Sequence, residues 1–187
     1  MGAAVALVTE RGTAAVTISD IAEAADVSRQ VVYQQFGDRD TLLLEAALDL
    51  ARRELLPRVA DASHALTGRA RALAMARHFA DHRMFYRAIL TGSCAFALNK
   101  ALTGLLIPLN RQVVHQVCGE RLDPHTVEDL ATFLTGGWAA FVNTWVVEGE
   151  DPLDPEEFTD RLMRMVSVLT AAMRRPTPNA HGEEQDR

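Results

Sequence analysis

Arg29, Gln30 and Val31 follow Ser28 at the start of a short amphipathic segment, and each carries a side chain able to read a base edge. A guanidinium makes a two-pronged hydrogen bond to guanine O6 and N7, a carboxamide suits adenine, and a branched apolar group packs on the thymine methyl. Thr17 and Ser28 each set a hydroxyl beside the backbone N–H groups of a helix start, a combination that holds phosphate. Ser19 stands near enough in sequence to add a contact to the same strands. Contact with duplex DNA is the chemistry that this set predicts.

The elements that must position these residues are legible in the run from Thr17 to Phe36. Thr17 is an N-cap, and Asp20 three residues later can bond back to close a capping box. Ile21, Ala22 and Ala25 recur at helical spacing, and small Ala22 lets a second helix approach closely. Asp26-Val27 breaks the pattern, and Ser28 caps the next helix, with Val32, Tyr33 and Phe36 expected on its buried side. Two short helices around a three-residue turn form a helix-turn-helix, whose second helix lies in the major groove.

Three stretches carry a family resemblance: Thr-x-x-Asp-Ile-Ala from Thr17, Ala-x-Val-Ser from Ala25, and Val-Val-Tyr-x-x-Phe-x-Asp-Arg-Asp-x-Leu-Leu from Val31. Together they resemble the N-terminal domain of the TetR family of bacterial transcriptional regulators, from about Ala3 to about Leu56. The resemblance implies that Tyr33, Gln34 and Arg39 hold backbone phosphates. It also implies a larger C-terminal helical domain that dimerises and binds a small-molecule effector. Two departures stand out. Asp26 occupies the position where the family most often has glycine, although Asp tolerates a left-handed turn. The first helical stretch, residues 2–11, also lacks the extra basic turn that family members usually carry before it.

Charge runs against a DNA-binding head. Residues 1–56 hold five arginines and nine acids, a balance of 5 − 9 = −4, within a chain of net charge −6. Asp20, Asp38 and Asp40 fall in first turns, where the helix dipole favours an acid. The sign predicts weak non-specific DNA binding and a shallow salt dependence. It also motivates an alternative, a TetR-like scaffold that has lost DNA binding and serves as a ligand- or protein-binding module.

The whole chain reads as all-α: a three-helix, homeodomain-like head over residues 1–48, a helical effector-binding and dimerisation domain over 49–175, and a disordered tail over 176–187. Asp38 caps a helix from Arg39 to about Ala62, kinked near Pro57. Further helices are predicted over 68–81, 82–90, 93–118 (stopped by Gly119, with a kink near Gly104 set by Pro108), 124–147 and 155–174. No uninterrupted apolar run reaches the length of a membrane span, and no leader pattern is present, so the expected compartment is the cytoplasm with no membrane partner.

Phe133, Leu134, Trp138, Phe141, Val142 and Trp145, with Leu162, Met165, Val166, Leu169 and Met173, form apolar faces suited to a two-fold four-helix interface, and Gly136-Gly137 permits close approach. A homodimer would present two heads to a pseudo-palindromic operator. Tyr86, Asn99, His115, Thr135, Trp138 and Asn143 interrupt apolar helical patterns and are the expected lining of an effector pocket. His78 and His82 stand four apart beside Asp81, a spacing that can bind metal, yet a solvated helix face is the simpler reading and no metal is expected. Cys94 and Cys118 lie about 36 Å apart along one helix, too far for a disulfide, and are read as buried thiols. No nucleophile elbow, phosphate loop or dinucleotide fingerprint is present, so neither an enzyme nor a cofactor is expected. The combined expectation is a transcriptional repressor released from its operator by a small molecule.

Overall fold

The computed structural model describes residues 1–63, 68–118 and 122–174. Among them are ten α-helices and no strand. The helices are α1 (Gly2–Arg11), α2 (Ile18–Ala24), α3 (Arg29–Phe36), α4 (Arg39–Leu50), α5 (Leu56–Ser63), α6 (Gly68–Asp81), α7 (Arg83–Leu90), α8 (Ala95–Cys118), α9 (Pro124–Glu148) and α10 (Pro155–Arg174). The expected stop at Gly119 and the expected tail 176–187 lie outside the described residues.

The head folds as its caps dictate. Thr17 Oγ1 accepts the Asp20 backbone amide at 3.1 Å, and the Asp20 carboxylate accepts the Thr17 amide at 2.8 Å, so the predicted capping box is closed. Gly12 ends α1 in the left-handed region at φ 62°. Asp26 adopts φ 52° in the turn between α2 and α3, a conformation that an aspartate takes more readily than most residues. Ala4, Val8, Val16, Ile21, Ala22 and Val32 pack beneath these helices against Leu42 and Leu43 of α4.

In the rod that starts at Asp38, the helix does not stay α-helical up to Pro57, near which a kink is expected. Residues Ala51–Leu55 instead form a π-helical turn, and the Leu56 amide donates to the Ala51 carbonyl. Pro57 has no N–H and its ring crowds the carbonyl four residues back. Widening the preceding turn to five-residue spacing relieves both problems upstream of the proline. Pro108, by contrast, lies within α8, which continues as one helix to Cys118.

One cluster of buried apolar residues extends from Ala4 in α1 to Leu162 in α10, and a smaller one joins Val114 of α8 to Val127 and Ala131 of α9. Trp145 stacks on Phe158 at 4.2 Å between centroids, with Phe141 on the same ring at 5.0 Å, tying α9 to the start of α10. Part of the face read as a dimer interface is therefore internal core, including Val142 and Leu162. Phe133 (71% exposed), Val168 (69%), Met165 and Leu169 remain uncovered, and no atom approaches the Cβ positions of Gly136 and Gly137. Helix α9 is long and apolar enough to cross a membrane, contrary to the expectation from uninterrupted runs. Within the fold it packs along α8, and its apolar excess is divided between that contact and the uncovered residues.

Two buried polar groups organise the body. His78 is fully buried, so the solvated-face reading fails. Burial, with the nearby His82 and Arg58 charges, pushes its pKa down to about 4 and keeps the ring neutral. Arg83 of α7 caps the end of α9, donating from Nε to the Val146 carbonyl at 3.2 Å, from Nη1 to the Glu150 carbonyl at 3.1 Å, and from Nη2 to the Gly149 carbonyl. It also pairs with Asp151 at 2.9 Å. A cation at a helix C-terminus offsets the dipole and satisfies carbonyls that the helix leaves open. Cys94 is buried, whereas Cys118 is only half-buried, and both are free thiols.

Arg83→Met should destabilise the fold by about 2–3 kcal/mol in urea denaturation, because it strips several carbonyls of a charged donor, and Arg83→Lys should recover only part of that loss. Thr17→Ala should cost about 1 kcal/mol. The Thr17 backbone amide and hydroxyl, helped by Arg11, hold the Asp20 pKa at about 2, below the ordinary 3.8. The stabilisation from that carboxylate is present above about pH 4 and lost as pH falls toward 2. Asp20→Asn should flatten the acid limb of a stability-against-pH curve in that window.

Candidate nucleic-acid interface

The predicted DNA-contacting residues of α3 are open to solvent because the helix buries so little of itself. Only Val32 of α3 is buried, and Ser28, Arg29, Gln30, Val31, Tyr33 and Gln34 are all exposed. Tyr33, expected on the buried side, is 54% exposed, and Val31 is 48% exposed. An eight-residue helix that rests on one valine and the half-buried Phe36 has the rest of its surface free for a partner. The Ser28 hydroxyl accepts the Val31 amide at 3.3 Å and so fixes the start of α3. Thr17 is occupied in the same way, with its Oγ1 donating to Asp20 at 2.7 Å.

Ser19 on α2 joins the set through Arg29, whose Nη1 donates to Ser19 Oγ at 3.4 Å across the helix-turn-helix. The other head arginines are committed to acids. Arg11 pairs with Asp20 at 3.2 Å, Arg39 with Asp40 at 2.7 Å, Arg52 with Glu45 at 3.9 Å and Arg53 with Asp49 at 2.8 Å. Among the described residues Arg29 forms no ion pair, leaving an exposed guanidinium at the leading end of α3. The negative sum over the head therefore conceals a local positive point where a recognition helix needs one.

Arg39 is more constrained than its expected phosphate role suggests. Both Nε and Nη2 donate to Asp40 Oδ1, at 2.9 and 2.7 Å, and Nη2 also reaches Ser93 Oγ at 3.4 Å. Ser93 in turn donates to Asp40 Oδ2 at 2.7 Å. The Ser93 hydroxyl, with Arg39 beside it, holds the Asp40 carboxyl below the usual carboxylate range. This three-residue link joins the start of α4 to the turn before α8, a connection absent from the sequence reading. Arg39 and Tyr33 nevertheless line one open hollow of about 450 Å³, together with Ile18, Asp38 and Asp40.

The expected effector-pocket residues are largely satisfied by one another or by neighbours. Asn143 Nδ2 donates to Asn99 Oδ1 at 2.6 Å, and Asn99 Nδ2 donates to the Ala95 carbonyl at 3.0 Å. Thr135 donates to the Ala131 carbonyl at 2.6 Å and accepts from Asn110 at 2.8 Å. Tyr86 is buried against His78, and Trp138 is half-buried against the main core. His115 is exposed on α8, because its position faces away from the Val114 contact with α9. Among the described residues, Asn99 and Asn143 are the pair of the six joined by a direct hydrogen bond.

Known proteins resemble both the head and the whole chain. Residues 1–46 fit the model of the bacterial regulatory proteins of the tetR family. The chain is 33% identical over 144 residues to the HTH-type transcriptional regulator AlkX of Mycobacterium tuberculosis, an alignment covering 75% of this chain and 59% of that relative. The chain thus spans about three-fifths of that relative's length. Two solved structures share the fold. The TetR family repressor AlkX from Dietzia sp. strain DQ12-45-1b, implicated in biodegradation of n-alkanes, superposes with TM-score 0.56 at 22% identity, over 90% of this chain and 94% of that one. The dihydroxyacetone kinase operon activator DhaS superposes with TM-score 0.57 at 16% identity, over 91% and 93%. By its head, which fits the family's model, and by its overall fold, the chain resembles the TetR family of bacterial regulatory proteins.

Proposed function

We propose that this chain is a sequence-specific DNA-binding transcriptional regulator, acting as a homodimer that offers two α3 helices to a pseudo-palindromic operator. The observation that carries this reading is Arg29, an exposed guanidinium with no ion pair among the described residues, at the N-terminal end of a helix whose outer face is exposed. Gln30 and Val31 stand beside it as base readers. Thr17, Ser19, Ser28, Tyr33 and Gln34 surround them with hydroxyls and an amide for phosphate contacts. Arg39 joins that set only by giving up part of its bond to Asp40.

The proposed mode is repression, relieved when a small apolar or amphipathic effector enters the body. Likeness to an alkane-associated repressor supports that effector class, whereas likeness to an operon activator shows that the fold serves either sense. The Arg39–Asp40–Ser93 link is the route by which a shift in the body would reach the head, since it fastens the start of α4 to the turn before α8. Coupling of about 1–3 kcal/mol suffices for such control. The uncovered apolar residues of α9 and α10, with open glycines at 136 and 137, support dimerisation through these helices.

Operator binding is tested by selecting duplexes from a random pool and measuring gel shifts. Arg29→Glu should weaken binding to the selected duplex by at least about tenfold, since one base-reading arginine is worth about 1–3 kcal/mol and the reversal adds repulsion. Its dimer should remain intact. Retained affinity in Arg29→Glu would remove Arg29 as a base reader, and failure of the native chain to bind any duplex would favour a scaffold that no longer reads DNA, the alternative to which the paired Arg39 also points. In sedimentation, the native chain should run as a dimer and the double variant Phe133→Asp, Val168→Asp as a monomer. A monomeric native chain would remove the two-headed geometry.

A further inference from the structure

We propose that Glu54, His78 and His82 form a binding site for a divalent transition-metal ion of the zinc type. One donor atom from each residue lies within 4.8 Å of the others. His82 Nε2 and Glu54 Oε2 already stand 2.8 Å apart. The His78 and His82 rings are 5.0 Å apart between centroids, one helical turn from each other where α6 gives way to α7.

The second observation is a buried atom without a use. His78 is fully buried, its Nε2 faces the Tyr86 hydroxyl at 2.9 Å, and its Nδ1 has no hydrogen-bond partner. A buried ring nitrogen left unpaired costs free energy unless something completes it. Metal-bound histidines characteristically keep one nitrogen on the ion and the other on an orienting partner, and the Tyr86 hydroxyl is suited to that second role.

Two imidazoles and a carboxylate are a donor set that zinc accepts while keeping a fourth position for water. Donors bound at about 2.0–2.2 Å stand about 3.4 Å apart, so the widest separations must close by about 1 Å while His82 and Glu54 open slightly from 2.8 Å, shifts of the size that side-chain rotation supplies. Arg58 is the competing cation, with Nη2 3.6 Å from Glu54 Oε2, but its Nη1 is anchored on Asp81 at 2.9 Å. It can therefore leave Glu54 without losing its own partner. The π-helical turn brings in the third ligand: Glu54 lies inside it, on the rod continuing from α4, so an ion here would clamp that rod to the end of α6.

The test uses the full chain, freed of metal with a chelator and titrated with zinc by calorimetry and with cobalt by visible absorption. One equivalent per chain should bind, with cobalt bands of nitrogen and oxygen ligation. His82→Gln and Glu54→Gln should each weaken zinc binding by about tenfold or more and abolish those bands, while the far-ultraviolet circular dichroism stays unchanged. These two positions are half-buried and replaceable, whereas His78 is too deep for its substitution to be read cleanly. No saturable zinc binding by the native chain overturns the site. So does undiminished affinity in both variants, since the ion would then sit elsewhere.

Discussion

The structure depends on one constraint, the burial of α4 on more than one side. Leu42, Leu43, Ala46, Ala47, Leu48 and Leu50 are all buried, and the burial continues through Ala51 and Leu55 of the π-helical turn. Each leucine removed from water contributes roughly 1.5–3 kcal/mol, so this helix cannot rotate or slide without losing more than a surface contact could restore. The same helix packs on α1 toward the head and on α8 toward the body. Its tilt is therefore set by both, and the orientation of α3, which rests on its start, follows from it.

That constraint explains why polar contacts at the ends of α4 carry information. At one end, Asp40 is held by Arg39 and Ser93, directly between head and body. At the other, Glu54 meets His82 and Arg58 where the rod passes α6. The partly buried Glu54–His82 contact biases the rod's position more effectively than exposed pairs along its length, which are screened by water. The Arg53–Asp49 pair on the outer face of the rod belongs to the second kind, with the arginine 57% exposed.

Much of this was legible in the sequence. The caps at Thr17, Ser28 and Asp38, the left-handed Asp26 and the helix start at Pro124 were readable because each depends on a local interaction within about four residues. What escaped required distance. Ser93 is 53 residues from Asp40, and Glu54 is 24 and 28 residues from its two histidines, so no periodicity connects them. Tyr33 was placed inward from its aromatic character, but α3 is short enough that Val32 and Phe36 already fill its contact with the head. The π-helical turn before Pro57 escaped because the proline's effect falls on the carbonyls behind it and not on its own position.

The charge of the head gains a physical meaning once the pairs are known. Had its arginines been free, a sum of −4 would still have left a basic patch to follow any duplex. With Arg11, Arg39, Arg52 and Arg53 paired to acids, the attraction left over is small and concentrated at Arg29. Counterion release, the main source of sequence-independent affinity, scales with the number of phosphates neutralised. A head built this way relies on base edges, on helix N-termini and on hydroxyl contacts for the operator binding proposed here. Its selectivity would then come partly from how little it holds to DNA in general, because the competing sites of a genome are bound through the term that this pairing suppresses.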